Sequence, residues 1–584
     1  AADRLIVWLE SALATKPDIA PAPKEIEDRL GVDSPAHQID IVRLLDLYRD
    51  NSDSSEVQLK RELWAKLLRT SFGAEFVDEE ELFISHTLLV LSAEIIAHAA
   101  IGYDTRPGQG LASDELITGS NFRQAQIYGV VEEDFFDWVL DVDGGQQFVD
   151  QLARRISRFA WADVENDVLK ILYESVIPQS ERERLGEYYT PDWLADRVVA
   201  ETIDDPLTAR VADPSCGSGT FLFHAVKRYL DAAENAGVSP GLAAMQVCDH
   251  VVGMDIHPVA VTLARVTYLL AIGKDRLNHH DRAQLSVPVY LGDSMQWEQS
   301  RDLLDQDGIV TISTGGDHLG ADLGGSLFSD DLIFPRAALT DAQKFTLLVT
   351  DMAEKALDVE RYSVTDTKIA KDKRGQFRRA TGTLIDPIIK RHGLEGDPAT
   401  AQVLRDTFAV LRRLVDTGRN HIWAYYVRNL IRPLWMSLPE NHVTHLVGNP
   451  PWLRYSKMTE TMQGMYRRLS AERDLTSGGT AVTAQDLSTL FVVRCAELYL
   501  AKDGKAAFVM PHGTMTRTPQ ASFRTGVWSH ASTALTAGFT DSWDLQDVDT
   551  GFPMASCVIR FTRTERTAAP MPSTPLRWAG RLPR

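Results

Sequence analysis

The chain has 584 residues, 44% apolar and 24% charged, the balance of a soluble globular protein and too long for one core. Its formal charge of −20 argues against a protein coated in nucleic acid. Four widely separated cysteines (Cys216, Cys248, Cys495, Cys557) offer no metal-ligand spacing and point to a reducing cytosol.

Residues 1–165 are expected to form a helical accessory domain. Apolar residues recur at helical spacing in 56–72, 80–100 and 148–160. The most apolar segment, 82–101, contains Ser85, His86, Glu94 and His98, so it is expected to be a buried helix rather than a membrane span. No signal-peptide pattern opens the chain, and it begins at Ala1 without Met, as a processed or trimmed chain would.

From Asp163 the pattern changes. Residues 164–177 read as an amphipathic helix. Thr190 is placed as the N-cap and Pro191 as the first residue of the next helix. Strands then alternate with helices over 166–310: strands 209–212, 251–255 and 287–291, helices 221–234 and 259–270. That alternation predicts a parallel sheet in a doubly wound α/β fold. Residues 311–440 interrupt it as a long, mostly helical insertion. It opens on a glycine-rich stretch and contains a basic run at 368–379. The alternation resumes over 441–565 with a strand from Val443, a helix over 488–500, a strand over 506–510 and a β-rich end. Residues 566–584 read as a linker, or as the start of a missing C-terminal region. The part from Asn441 onward carries 16 Lys/Arg against 11 Asp/Glu, whereas the rest carries 45 against 70. The local positive balance suits an anionic partner.

Two loops carry the chemistry. The first, Asp213-Pro214-Ser215-Cys216-Gly217-Ser218-Gly219, joins a strand to a helix. Glycines there admit a ligand to the backbone, and a helix N-terminus favours an anionic group. Asp255-Ile256 ends the next strand, where a carboxylate can accept two ribose hydroxyls. Asp293-Ser294 ends the third, where a carboxylate can accept an adenine amino group. No G-x-x-x-x-G-K-[ST] occurs, and Asp255 lies farther from the glycines than a dinucleotide fold would place it. A nucleoside with an amino-acid tail, S-adenosylmethionine, fits better than NAD or ATP.

The second loop is Asn449-Pro450-Pro451-Trp452, at the end of an apolar run. Two prolines make it stiff and non-helical. Asn449 Oδ1 and the Pro450 carbonyl can accept both N–H bonds of a planar amine, localise its lone pair and aim it at a donor methyl. Trp452 can stack on the ring. Positioning carries such a step, with no metal or tuned base.

Together these motifs resemble those of the N6-adenine DNA methyltransferases, in the order of the gamma class. The lead-in over 172–191 is similar to that of large methylases of type IIG restriction–modification and of phage-defence systems such as BREX and DISARM. The resemblance covers roughly 165–310 and 440–565, which become the donor-binding and catalytic parts of one Rossmann-like methyltransferase domain. It implies that Tyr189, Thr190 and Pro191 line the methionine end of the donor. Asp213, Pro214, Cys216, Gly217 and Gly219 would hold its amino acid, Asp255 and Ile256 its ribose, Asp293 and Ser294 its adenine. Asn449, Pro450, Pro451 and Trp452 would form the catalytic loop. Phe552 would face Trp452 across a flipped adenine. Arg454, Lys457, Arg467 and Arg468, with Tyr455 and Tyr466 among them, would contact phosphates. The implied partner is double-stranded DNA, with further subunits or an absent target-recognition domain, in the cytoplasm and without a membrane. Two alternatives stay open: methylation of RNA or of a protein glutamine, or a donor- and DNA-binding subunit active only within an assembly.

Overall fold

The computed structural model describes residues 19–72, 76–132, 134–161, 168–177, 190–296, 309–312, 332–339, 342–358, 383–416, 432–475, 485–528, 535–549, 555–565 and 568–581. Two compact units emerge. One comprises Ala1–Asp53, Arg61–Met295 and Met436–Arg584; the other comprises Ser54–Lys60 and Gln296–Trp435.

The first unit is built on an eight-stranded sheet: β1 (Val211–Asp213), β2 (Val251–Asp255), β3 (Val289–Leu291), β4 (Val443–Gly448), β5 (Leu500–Pro511), β6 (Thr536–Asp549), β7 (Ser556–Thr564) and β8 (Leu576–Arg581). Its spatial order is β8-β6-β7-β5-β4-β1-β2-β3. β3, β2, β1, β4 and β5 run parallel, and β7 is inserted antiparallel between β5 and β6. This is the doubly wound sheet expected from the alternation. Parallel strands must be covered on both faces, so β1 is fully buried and the crossover helices are apolar on their inner sides. In helix Thr220–Asn235 the buried positions Leu222, Ala225, Val226, Tyr229 and Ala233 recur at helical spacing. Helix Pro258–Ile272 is buried almost all round.

Its outer cover comes from the N-terminal region. Helix Glu80–Ala100 is buried along nearly its whole length, with His86, Glu94 and His98 inside. It packs as the buried helix its polar residues implied. Polar links join this region to helix Pro258–Ile272. Buried Arg265 pairs with Glu132 at 3.0 Å, and the His86 ring meets the His257 ring edge-on at 5.2 Å.

The C-terminal tail departs from the linker expected there. Leu576–Arg581 forms edge strand β8, parallel to β6. Half-buried Trp578 packs tilted against Trp543 with ring centroids 5.2 Å apart, a contact that a linker composition conceals.

Among its described residues the second unit is mostly helical. A two-stranded antiparallel sheet, Ile309–Ile312 with Leu332–Pro335, accompanies helices Ala342–Asp358, Asp386–Arg391 and Pro398–Asp416. They close on a core of Phe334, Phe345, Met352, Leu404 and Phe408.

Candidate active site

In a doubly wound sheet the ligand crevice lies where the strand order reverses, at the carboxyl ends of the strands. Here that point falls between β1 and β4, which end at Asp213 and Gly448. A Cβ on Gly448 would stand 2.5 Å from Asp213 Oδ1, so glycine alone allows the two strand ends to approach this closely. The two chemical loops leave from these ends.

Asp213 is fully buried. Its Oδ1 accepts the Ser215 N–H at 3.0 Å, and its Oδ2 has no hydrogen-bond partner. Burial holds this carboxyl well above the usual carboxylate range; the Ser215 N–H opposes the shift and Asp255 adds to it. The loop then turns on two glycines with left-handed backbone, Gly217 at φ +52° and Gly219 at φ +98°. A Cβ on Gly217 would meet nothing within 4 Å, so the loop is open there. A Cβ on Gly219 would lie 3.0 Å from Ala264 Cα, so this glycine serves helix packing. The Cys216 N–H donates to Met254 O at 2.9 Å. Its thiol is buried beside Gly253, and burial, then Asp255 and Asp213, push it far up. The Cys216 side chain therefore packs in the core beneath the loop.

Asp255, partly exposed, ends β2 beside half-buried Ile256. Its Oδ2 accepts the Gly217 N–H at 2.9 Å and its Oδ1 the His257 N–H at 2.8 Å. The Ile256 N–H also bears on this carboxyl, and an ionised carboxylate has about four acceptor sites, so acceptor capacity remains for a ligand. Burial raises this carboxyl, and those N–H bonds oppose the rise. His257 caps helix Pro258–Ile272, its Nδ1 accepting the Ala260 N–H at 3.1 Å. Burial lowers its ring to about 3, which keeps Nδ1 an acceptor. Behind it, His86 Nδ1 accepts the Trp64 indole N–H at 3.1 Å.

Past β3, half-buried Asp293 accepts the Met295 N–H at 2.9 Å. Ser294 is buried, and its hydroxyl donates to Pro214 O at 2.6 Å. It ties two loops together, a duty the expected adenine contact did not include. Thr190 is buried and its carbonyl accepts Lys170 Nζ at 2.6 Å. The helix begins one residue later than expected, at Asp192 with Pro191 as its cap, because the Pro191 carbonyl accepts the first helical bonds. Tyr189, Phe552 and the basic run 368–379 lie outside the described residues.

In the second loop, Asn449 is half-buried and its backbone carbonyl accepts the Ser215 hydroxyl at 3.0 Å. Pro450 is buried and Pro451 half-buried. Trp452 is only 5% exposed. The chain beyond is pinned by Leu487 N–H to Leu453 O at 2.9 Å and Tyr455 N–H to Gln485 O at 3.0 Å. Arg454, Lys457, Arg467 and Arg468 are exposed, as phosphate contacts require. Tyr455 and Tyr466 are instead core residues with ring centroids 5.6 Å apart, because Tyr466 lies on the buried stripe of helix Glu460–Glu472 with Met462 and Leu469. Nearby Arg473 is buried and paired with Glu497 at 2.7 Å, so its role is structural.

The structure thus brings Asp213, Gly217, Asp255 and Asn449 into one crevice. It adds His257, and it gives Ser215 and Gly448, which lie within the motifs, contacts the motifs do not specify. Ser215 and Gly448 act across 234 and 235 residues, a distance no local pattern encodes.

Residues 164–311 match the family model described as N-6 DNA Methylase. Among solved structures, the chain is similar to the ATP-dependent type ISP restriction-modification enzyme LlaBIII bound to DNA, with TM-score 0.47 and 10% identity over 95% of this chain and 30% of that one. It is similar to DrdV in a DNA complex, with TM-score 0.48 and 11% identity over 96% and 43%. It is also similar to a type I restriction-modification methyltransferase subunit from Streptococcus thermophilus, with TM-score 0.33 and 12% identity over 93% and 86%. The chain spans less than half the length of the first two.

Proposed function

We propose that this protein transfers a methyl group from S-adenosylmethionine to N6 of adenine in double-stranded DNA, as the modification part of a restriction–modification or phage-defence system. The observation that carries the reading is the meeting of the donor-type loop and the Asn-Pro-Pro-Trp loop at the β1–β4 switch point, with Gly448 against Asp213. The matched N-6 DNA Methylase segment, 164–311, ends before the second loop, so the two supports are independent.

The residues present fit such a donor. Asp213 Oδ2 is a buried acceptor without a partner, suited to the donor's cationic amino-acid end. Open-faced Gly217 lets an anionic carboxylate approach the start of helix Thr220–Asn235. The carboxylate of Asp255 suits ribose hydroxyls, and that of Asp293 an adenine amino group. When bound, the donor supplies a methyl on a sulfonium, whose C–S bond breaks with its electron pair left on sulfur. Asn449 Oδ1 and the Pro450 carbonyl accept the two N–H bonds of adenine N6 and aim its lone pair. One N–C bond forms, and N6 then releases a proton to water. Trp452 stacks on the base. It is buried in the free chain, so this role requires the loop to turn outward as the base flips in. Arg454, Lys457, Arg467 and Arg468 hold the backbone.

The test is transfer of labelled methyl to duplex DNA from a host without adenine methylation. N6-methyladenine is the expected product. Asn449→Ala is expected to lower the rate by about 10²–10³-fold with donor affinity unchanged. Label appearing on RNA or on protein, with none on DNA, would sink the reading.

A further inference from the structure

We infer that Ser215 is a positioning residue: its hydroxyl holds the Asn449–Pro450 peptide at the angle from which both amine acceptors are aimed. The inference rests on the function proposed above.

Ser215 makes two bonds in opposite directions. Its N–H donates to Asp213 Oδ1 at 3.0 Å, and its Oγ donates to the Asn449 carbonyl at 3.0 Å. The first anchors it to the end of β1. The second reaches the loop that leaves β4. Its own loop is steadied from the far side, where the Ser294 hydroxyl holds Pro214 O and Asp255 holds the Gly217 N–H.

The receiving carbonyl sits at an exacting place. Gly448, paired with Phe508, is the last residue of β4 in register with β5. Asn449 lies one residue beyond that ladder. The amide joining it to Pro450 is tertiary, with a carbonyl but no N–H, so hydrogen bonding can orient its plane only through the oxygen. Pro450 has its φ fixed near about −65° by its ring. With that torsion locked, ψ of Asn449 is the torsion left to swing the 449–450 peptide, and a bond to its oxygen restrains it. The two acceptors belong to the residues this peptide joins: the Asn449 side chain before it and the Pro450 carbonyl after it. Pinning the plane sets the direction of both. The pin comes from the donor-type loop, so beyond the β1–β4 ladder this hydroxyl ties the acceptor peptide directly to the donor loop. A misplacement of about 1 Å between reacting groups costs on the order of 10²-fold in rate, so a modest loosening is readable.

The test compares Ser215→Ala and Ser215→Thr with wild type in the full-length chain. Ser215→Ala removes only the hydroxyl; Ser215→Thr keeps it on a half-buried residue. In single-turnover transfer of labelled methyl to unmethylated duplex DNA, Ser215→Ala is expected to be about tenfold slower, which is about 1.4 kcal/mol. Donor Kd by calorimetry is expected to stay within about twofold. Ser215→Thr is expected to restore the rate. In parallel, amide exchange of the peptide spanning 448–455 is expected to quicken in Ser215→Ala and return in Ser215→Thr. A rate and an exchange profile both unchanged in Ser215→Ala would overturn the inference. So would a donor Kd that weakens in step with the rate, which would make Ser215 a donor contact. If the wild type neither binds donor nor methylates, the function proposed above fails, and the exchange comparison alone still decides whether Ser215 holds the loop.

Discussion

Placing a methyl group on Gly448 tests the junction on which the site depends. The new Cβ would lie 2.5 Å from Asp213 Oδ1, against about 3.4 Å for ordinary contact, so the carboxylate must retreat by about 0.9 Å. A retreat of that size disturbs its 3.0 Å bond from the Ser215 N–H. Overpacking of this kind costs about 1–3 kcal/mol. Gly448→Ala is therefore expected to destabilise by about 1–3 kcal/mol. The decisive measurement is a double-mutant cycle with Asp213→Ala, followed by denaturant unfolding. With the carboxylate gone there is nothing to strike, and Gly448→Ala should then cost less than about 1 kcal/mol. Any backbone cost at residue 448 is common to both backgrounds and cancels. Equal costs in the two backgrounds would refute the reasoning, because the close approach would then not constrain the strand ends.

Asp255→Ala removes the acceptors proposed for the donor's ribose and the partner of the Gly217 N–H, so donor affinity by calorimetry should fall at least about tenfold; an unchanged Kd would remove Asp255 from the donor site. Glu94 is buried in helix Glu80–Ala100, and burial first, then Asp134 and Asp137, raise its carboxyl well above the usual range. A raised folded value means stability that is full below the unfolded pKa of about 4.3 and lost as pH rises toward the folded one. Glu94→Gln keeps the neutral form throughout, so its Tm advantage over wild type should widen from pH 5 to pH 8; a constant difference would count against the shift. Arg454→Ala and Lys457→Ala should each lower the slope of log affinity against log salt for duplex DNA by about one, and an unchanged slope would place those side chains off the DNA.

The parallel sheet was legible because its strands are short apolar runs separated by helices of strong periodicity. Strand β2 lies where alternation puts it, and helix Glu80–Ala100 matches its apolar span. The carboxylates Asp255 and Asp293 were legible because strand ends mark the crevice. Burial was harder to read. Tyr455 and Tyr466 sit among basic residues and resemble a stacking surface, yet long-range packing puts both in the core. Cys216 looks like part of a ligand loop, but its side chain turns inward against Gly253. The strand at Leu576–Arg581 follows a proline-rich approach and draws its stability from β6 and Trp543, residues that local composition does not contain.

The β1–β4 pairing also bears on how the protein is made. Val211 pairs with His445, so these two neighbouring strands of the sheet are 234 residues apart in synthesis. At about 5–20 residues per second, β4 leaves the ribosome some ~12–47 s after β1. Throughout that delay β1 keeps an unpaired edge of N–H and C=O groups, the kind of edge that recruits other chains. The 296–435 segment occupies much of the interval. Translation speed through that segment thus sets how long each nascent chain stays open to misassembly, and slowing it should lower soluble yield without altering the finished protein.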